Sequence, residues 1–260
     1  MSEYDYEENW DVYPSQVDGD KMGFFFVDMG LAEIAPITDK PNLVSLKLKI
    51  TRPGDDGMPD ESEAATLNDL EDSLVTAIAS KFGGIYAGRV TIEGVRTFFF
   101  YLGEKTAGYD KTLTEAMAGF ADYAFDYSLQ EDRDWECYFG FLFPEPVQYQ
   151  SMQNRRVVFQ LSQHGDALTE LRPVEHWIYF KTESGREAYW NKVNELGFEL
   201  VKMSRYEENG EYPYMLRIVR EDKVDYDSVD DYVLPLWRLA AEHDGNYDGW
   251  ETGIVQEKET

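Results

Sequence analysis

The sequence predicts an α+β protein made of two ferredoxin-like (βαββαβ) domains, each an antiparallel four-stranded sheet with both helices on one face. Three observations predict it. The chain has 260 residues, more than a single hydrophobic core usually serves, so two domains are the default. Hydrophobic side chains make up 43% of it and aromatic ones 15%, enough for two packed interiors. Twice along its length, two-residue and 3.6-residue apolar periods alternate in the order strand, helix, strand, strand, helix, strand.

In the first domain, residues 1–147, the stretch 1–9 is acidic and loosely held. Trp10-Asp11-Val12-Tyr13 alternates as a strand does, and Lys21 to Met29 contains the dense run Phe24-Phe25-Phe26-Val27. Between Leu43 and Ile50, Leu46, Leu48 and Ile50 share one side while Lys47 and Lys49 take the other, the period of a half-buried strand. Pro53 to Gly57 is loop chemistry. Leu67, Leu70, Leu74, Ile78 and Phe82 recur at three- and four-residue spacings, so 64–82 is an amphipathic helix that Gly83-Gly84 ends. Residues 85–92 and 95–102 flank Glu93-Gly94 as a tight hairpin. Thr112-Leu113-Thr114-Glu115 has capping-box form and opens a second helix with Met117, Phe120, Ala121 and Ala124 inward. Trp135 to Phe143 is the expected closing strand, stopped by Pro144-Glu145-Pro146.

Residues 148–172 are expected to connect the domains: Gln148 to Asn154 as a polar linker, 155–161 as a strand, and 167–172 as a turn or short helix. The second domain, 173–260, opens with a strand over 174–181. Ser184-Gly185-Arg186-Glu187 has capping-box form and starts a helix with Trp190, Val193 and Leu196 inward. Strands follow at 198–203 and 214–220 around Asn209-Gly210. Val229, Tyr232, Val233, Leu236, Trp237 and Ala240 trace one face of the last helix, in which Pro235 is expected to cause a bend. Gly245 sits where a left-handed helix cap is wanted, and 247–255 supplies the closing strand.

Charge is the outlier of the composition. Against 51 Asp and Glu stand 24 Lys and Arg, a net of −27. Residues 1–150 carry 11 basic and 29 acidic side chains, net −18; residues 151–260 carry 13 and 22, net −9. Such a balance repels phosphate backbones and anionic membrane surfaces, which disfavours direct nucleic-acid or membrane binding and favours a basic protein partner. Cys137, the only cysteine, excludes an internal disulfide and a cysteine metal cluster, and its run Trp135 to Phe139 suits a small buried hydrophobe. The start of the chain lacks signal-peptide form, and no apolar run approaches the ~20 residues of a membrane span, so a cytoplasmic location is expected.

Near the C-terminus, Tyr247-Asp248-Gly249-Trp250 follows Leu236-Trp237-Arg238-Leu239-Ala240-Ala241-Glu242-His243, with Val174-Glu175-His176-Trp177-Ile178-Tyr179-Phe180 upstream. Together these resemble the regulator of ribonuclease E activity B (RraB) family, small acidic proteins that inhibit that endoribonuclease by binding it. The resemblance covers about the last ninety residues and implies a basic segment of RNase E as partner. Glu251 departs from it, standing where the family usually has a second glycine. Trp10-Asp11-Val12-Tyr13, Leu67-Asn68-Asp69-Leu70-Glu71-Asp72, Arg96 to Tyr101 and Trp135 to Tyr138 resemble the bacterial domain-of-unknown-function family 695, which implies architecture and no activity.

Signals for catalysis are sparse. His164, His176 and His243 form no metal-binding spacing with each other or with acidic residues, and no nucleophile elbow or phosphate-cradling glycine pattern occurs, so no metal, cofactor or catalytic residue is expected. The candidate partner-binding residues are Asp227, Asp230, Asp231 and Glu242 on the last helix, opposite its apolar face, then Asp244, Tyr247, Asp248 and Trp250. The carboxylates can pair with Arg or Lys of a partner or form a solvated face; the aromatics are interface types or plugs for the sheet edge. The reading is a non-catalytic acidic regulator of an RNA-degrading endoribonuclease, with homo-oligomerisation left open. Its competitors are an enzyme acting on a small molecule at the inter-domain cleft and a structural or immunity-type module unrelated to RNA turnover.

Overall fold

The structure, a computed structural model, describes residues 4–17, 19 and 21–256. It falls into two compact units, Met1–Glu145 and Pro146–Thr260. Two antiparallel sheets, of six and four strands, organise them.

In the first unit the strands are β1 Trp10–Val17, β2 Lys21–Asp28, β3 Asn42–Lys49, β4 Ile85–Ile92, β5 Val95–Leu102 and β6 Phe125–Glu131. They lie in the order β1-β2-β4-β5-β3-β6, six where four were expected. The two additional strands are the hairpin β1–β2, which pairs Tyr13 with Phe25 and extends the sheet beyond β4. Helix α1, Glu61–Phe82, starts where the Asp60 carboxylate accepts the N–H of Glu63 at 2.7 Å and stops at Gly83, whose φ of 55° is left-handed. Its Leu67, Leu70, Leu74 and Ile78 pack against Val44, Leu46, Leu48, Phe98 and Phe100 of the sheet.

The closing strand lies earlier than the sequence suggested. Helix α2, Tyr109–Met117, is short, and Phe125, Tyr127 and Leu129 alternate with Asp126, Ser128 and Gln130 to pair β6 with β3. Trp135 to Phe143, expected as that strand, instead makes helical turns. There the buried Trp135, Tyr138 and Leu142 recur at helical steps of three and four residues, and the Asp132 carboxylate accepts the N–H groups of Glu136 (2.7 Å) and Cys137 (3.1 Å). Trp135 is fully buried, stacked on Tyr101 at 3.7 Å between ring centroids.

The second unit begins with α3, Pro146–Gln163. This single helix replaces the expected polar linker and strand. Pro146 occupies the first helical position, and the buried Asn154, Val158 and Leu161 follow four- and three-residue steps, with Met152 buried beside them. Then come β7 Arg172–Phe180, α4 Glu183–Glu195, β8 Glu199–Arg205, β9 Tyr214–Asp222, α5 Val229–Glu242 and β10 Gly245–Thr252, with the strands ordered β10-β7-β9-β8. All three helices share one core with one face of the sheet: Val158 and Leu161 of α3, Tyr189 and Val193 of α4, and Val233 and Leu236 of α5 meet Val174, Ile178, Phe180, Leu216 and Ile218.

Two local expectations shift here. The cap of α4 is Thr182, not Ser184; its hydroxyl accepts the N–H of Gly185 at 3.1 Å. Helix α5 contains Pro235 and continues to Glu242. The left-handed residue after α5 is Asp244, at φ 53°, while Gly245 begins β10. Glycine is needed at 245 for space, since a Cβ there would lie 2.6 Å from the Phe180 ring.

Candidate functional site

The aromatic word of β10 builds a groove together with α3. Tyr247 pairs with Ile178 and Gly249 with Trp177, so Asp248 is the extra residue of a β-bulge. Gly249 has φ 149°, a conformation that L side chains rarely adopt, and the space beside it is open. Asn246, Tyr247, Asp248, Gly249 and Trp250 form one wall of a groove of about 450 Å³. Tyr149, Gln150, Gln153, Asn154 and Val157 of α3 form the other.

Asn154 ties these elements together. It is 1% exposed; its Oδ1 accepts the Trp250 indole N–H at 3.0 Å and its Nδ2 donates to Asp230 at 2.7 Å. Ser151 also donates to the Asp230 carboxylate, so α3 is fastened to the first turn of α5 through one acidic side chain. Tyr247 turns its hydroxyl inward, 2.7 Å from Nδ1 of the fully buried His176. Burial, together with the nearby Arg220 cation, pushes the His176 pKa down to about 3, so this imidazole is neutral at physiological pH. Burial likewise raises the Tyr247 phenol well above its ordinary range.

The eight residues expected to bind a partner therefore divide. Tyr247 and Trp250, 7% and 8% exposed, form the floor of the groove and fix it from within. Asp248 lies on its exposed rim. Asp230 is engaged by α3. Asp227, Asp231, Glu242 and Asp244 are exposed, but Asp227 lies in the turn before α5 rather than on it, and Asp244 lies just beyond it; α5 itself, Val229–Glu242, advances ~20 Å, so they form a strip rather than a cluster. The groove residues of α3 went unseen in the sequence because 148–154 reads as a polar linker. Only the spacing of Met152 with Val158 and Leu161 beyond that stretch hints at a helix.

A second feature lies on the sheet face away from the helices. Arg217 stacks over Trp177 at 4.6 Å and pairs with Glu175 and with Glu251 (3.7 Å). Glu251, which replaces the glycine usual in the resembled family, thus contributes a carboxylate to this face. Below it, Arg172 and Asp166 form a buried ion pair, and Asp166 also accepts the Val255 N–H at 2.8 Å. That pairing holds the Asp166 carboxyl down at about 2. Cys137, in the first unit, is half-buried, and burial pushes its thiol up to about 12, far from a reactive thiolate. Among the described residues, no group of three or more His, Cys, Asp or Glu could hold a metal ion, and no helix is long and apolar enough to cross a membrane.

Comparison with known proteins divides the chain at the same place as its contacts do. The model of a family of unknown function, DUF695, matches residues 8–143. That of RraB, regulator of ribonuclease activity B, matches residues 151–252. No curated protein matches. Among solved structures, an unknown protein from Galdieria sulphuraria is 12% identical, covering 80% of this chain and 96% of that one at a TM-score of 0.22. Another, named for a proposed role as a glycine cleavage system transcriptional repressor, is 10% identical, covering 82% and 98% at a TM-score of 0.21. Overlaps at such scores carry no weight for fold or role.

Proposed function

The chain belongs to the family of unknown function DUF695 through its first half, and we propose that its second half makes it a non-catalytic protein–protein regulator of an RNA-degrading endoribonuclease of the RNase E type. The observation that carries the reading is the RraB match: residues 151–252 lie wholly within the compact unit Pro146–Thr260. In that unit we read β7-α4-β8-β9-α5-β10, with its order β10-β7-β9-β8, as the ferredoxin-like layer, preceded by α3 as an added helix.

Charge supports a protein partner over RNA itself. A chain of net −27 cannot release counterions from a phosphate backbone as cationic binders do, but it attracts a basic polypeptide. Asp227, Asp231, Glu242, Asp244 and Asp248 supply exposed carboxylates for such a segment. A partner of that type implies a cytoplasmic location for the protein.

The test is RNA cleavage by a purified endoribonuclease of that type, with this protein titrated in at low and moderate salt. The expected result is a saturable fall in cleavage rate that weakens as salt rises, with co-elution of the two proteins on gel filtration. Unchanged cleavage and separate elution under both conditions would refute the reading.

A further inference from the structure

We propose that the groove between β10 and α3 holds an extended, basic segment of the partner protein, added to β10 as a fifth strand. The inference rests on the reading that the second unit acts by holding a protein, and it assigns the place and manner of contact.

Three features point to strand addition. First, β10 is an outer strand of its sheet, with β7 on one side only. The backbone groups on its other side are a template for another chain. Second, five consecutive residues, 246–250, line the groove. Successive side chains of a strand point to opposite faces, so a cavity on one face would be lined by alternate residues. A cavity lined by every residue runs along the strand's edge. Third, α3 forms the opposite wall, leaving a slot bounded by an edge strand and a helix. Five strand residues span ~17 Å, the reach of a similar length of extended peptide.

The lining selects the occupant. Gln150 and Gln153 on α3 and Asn246 on the strand carry amides that both donate and accept, which suits a peptide backbone in either direction. Asp248 is the one charged residue of the lining, held outward by the bulge. A second copy pairing antiparallel, β10 against β10, would bring Asp248 and Glu251 of the two chains close, and like charges across a strand pair are destabilising. Lys or Arg at those places converts the repulsion into attraction, so the bulge with its aspartate admits a basic segment and turns away a sister chain.

The probe is a library of random decapeptides displayed on phage, panned at low salt against the full chain. Selected peptides are expected to be rich in Lys and Arg and poor in Pro. Two N-methylated versions of a selected peptide separate backbone pairing from charge attraction, each methylated at one alternate set of amides. One version is expected to bind about tenfold more weakly and the other nearly as well as the parent, because only one set faces β10. Hydrogen exchange is expected to slow at Asn246 to Glu251. Gln153→Trp, which fills the slot, is expected to weaken binding about tenfold, and Asp248→Lys, at an exposed position, to shift selection toward acidic peptides.

Failure to enrich any peptide, equal binding of both methylated versions, or full binding to Gln153→Trp would overturn the proposal. So would a concentration-dependent dimer that protects β10. The regulator reading fails separately. Inhibition of the ribonuclease by Gln153→Trp at wild-type strength removes the slot and leaves the regulator. Peptide binding with unaffected cleavage does the reverse.

Discussion

Asn154→Leu is the substitution that most directly tests how the groove is held. The amide is 1% exposed and bonds both the Trp250 indole and the Asp230 carboxylate. Leucine has similar volume and no polar atom. It leaves the Trp250 N–H buried without an acceptor, at about 1–2 kcal/mol. The charge-assisted bond to Asp230 is nominally worth more, but Asp230 is half-buried and keeps Ser151, so about 1 kcal/mol is the appropriate loss. The sum, about 2–3 kcal/mol, shifts the urea midpoint of the second unit down by roughly 1–2 M. Urea titration of the full chain by far-UV circular dichroism measures it, and hydrogen exchange shows whether α3 and β10 open first. In the double mutant with Trp250→Phe, the two losses are expected to fall short of additivity by about 1 kcal/mol. A loss below about 0.5 kcal/mol for Asn154→Leu would show that α3 is held by its apolar face alone and that the amide network does not set the groove.

The remaining predictions concern the supports of the same unit. His176 has a folded-state pKa of about 3, below its unfolded value near 6.5, so the unfolded state binds the extra proton between these limits. Its contribution is complete above pH 6.5 and is lost as pH falls toward 3, at up to about 1.4 kcal/mol per pH unit. His176→Phe is expected to flatten that slope in stability measured from pH 7 to 4; an unchanged slope would assign the acid sensitivity elsewhere. Arg172→Met leaves the buried Asp166 carboxylate uncompensated and is expected to cost about 3–5 kcal/mol, with earlier proteolysis beyond Thr252. A variant of normal stability would contradict the ion pair's place in the fold. Gly245→Ala forces a Cβ to within 2.6 Å of the Phe180 ring and is expected to cost about 1–3 kcal/mol by thermal denaturation. No loss would mean that the α5–β10 corner is looser than its packing implies.

How much was legible in the sequence depended on whether local pattern and tertiary context agreed. The second sheet was readable almost strand by strand, since β7, β8, β9 and β10 each carry their own alternation or turn chemistry. The α1 helix and the β4–β5 hairpin were nearly as plain, because Gly83 and Glu93-Gly94 mark their ends, although α1 begins at Glu61 behind its Asp60 cap, three residues before the expected start at 64. Helix α3 was not. Its polar first half, Gln148 to Asn154, has few apolar positions to show a period, and Val157-Val158-Phe159 imitates a strand. What makes it helical is the core it meets: Val158 and Leu161 enter the apolar cluster, while Ser151 and Asn154 find Asp230. The 135–143 turn failed for the converse reason, since a run of aromatics satisfies a strand template as well as helical turns do.

The candidate site was legible as a word but not as a geometry. Tyr247-Asp248-Gly249-Trp250 marked the place, yet its two aromatics point inward, toward His176 and Asn154, and so set the strand rather than present themselves. What they leave outward is backbone, a bulge and one aspartate, facing a helix that the sequence had hidden as a linker. Carboxylates strung along the ~20 Å of α5 and the turns flanking it cannot by themselves define a register for a partner, because each is screened and interchangeable. A strand edge can, since its hydrogen-bonding groups repeat at fixed intervals and a shift by one residue inverts every side chain. In this chain the charge brings a basic segment near, and the β10–α3 slot decides which segment stays.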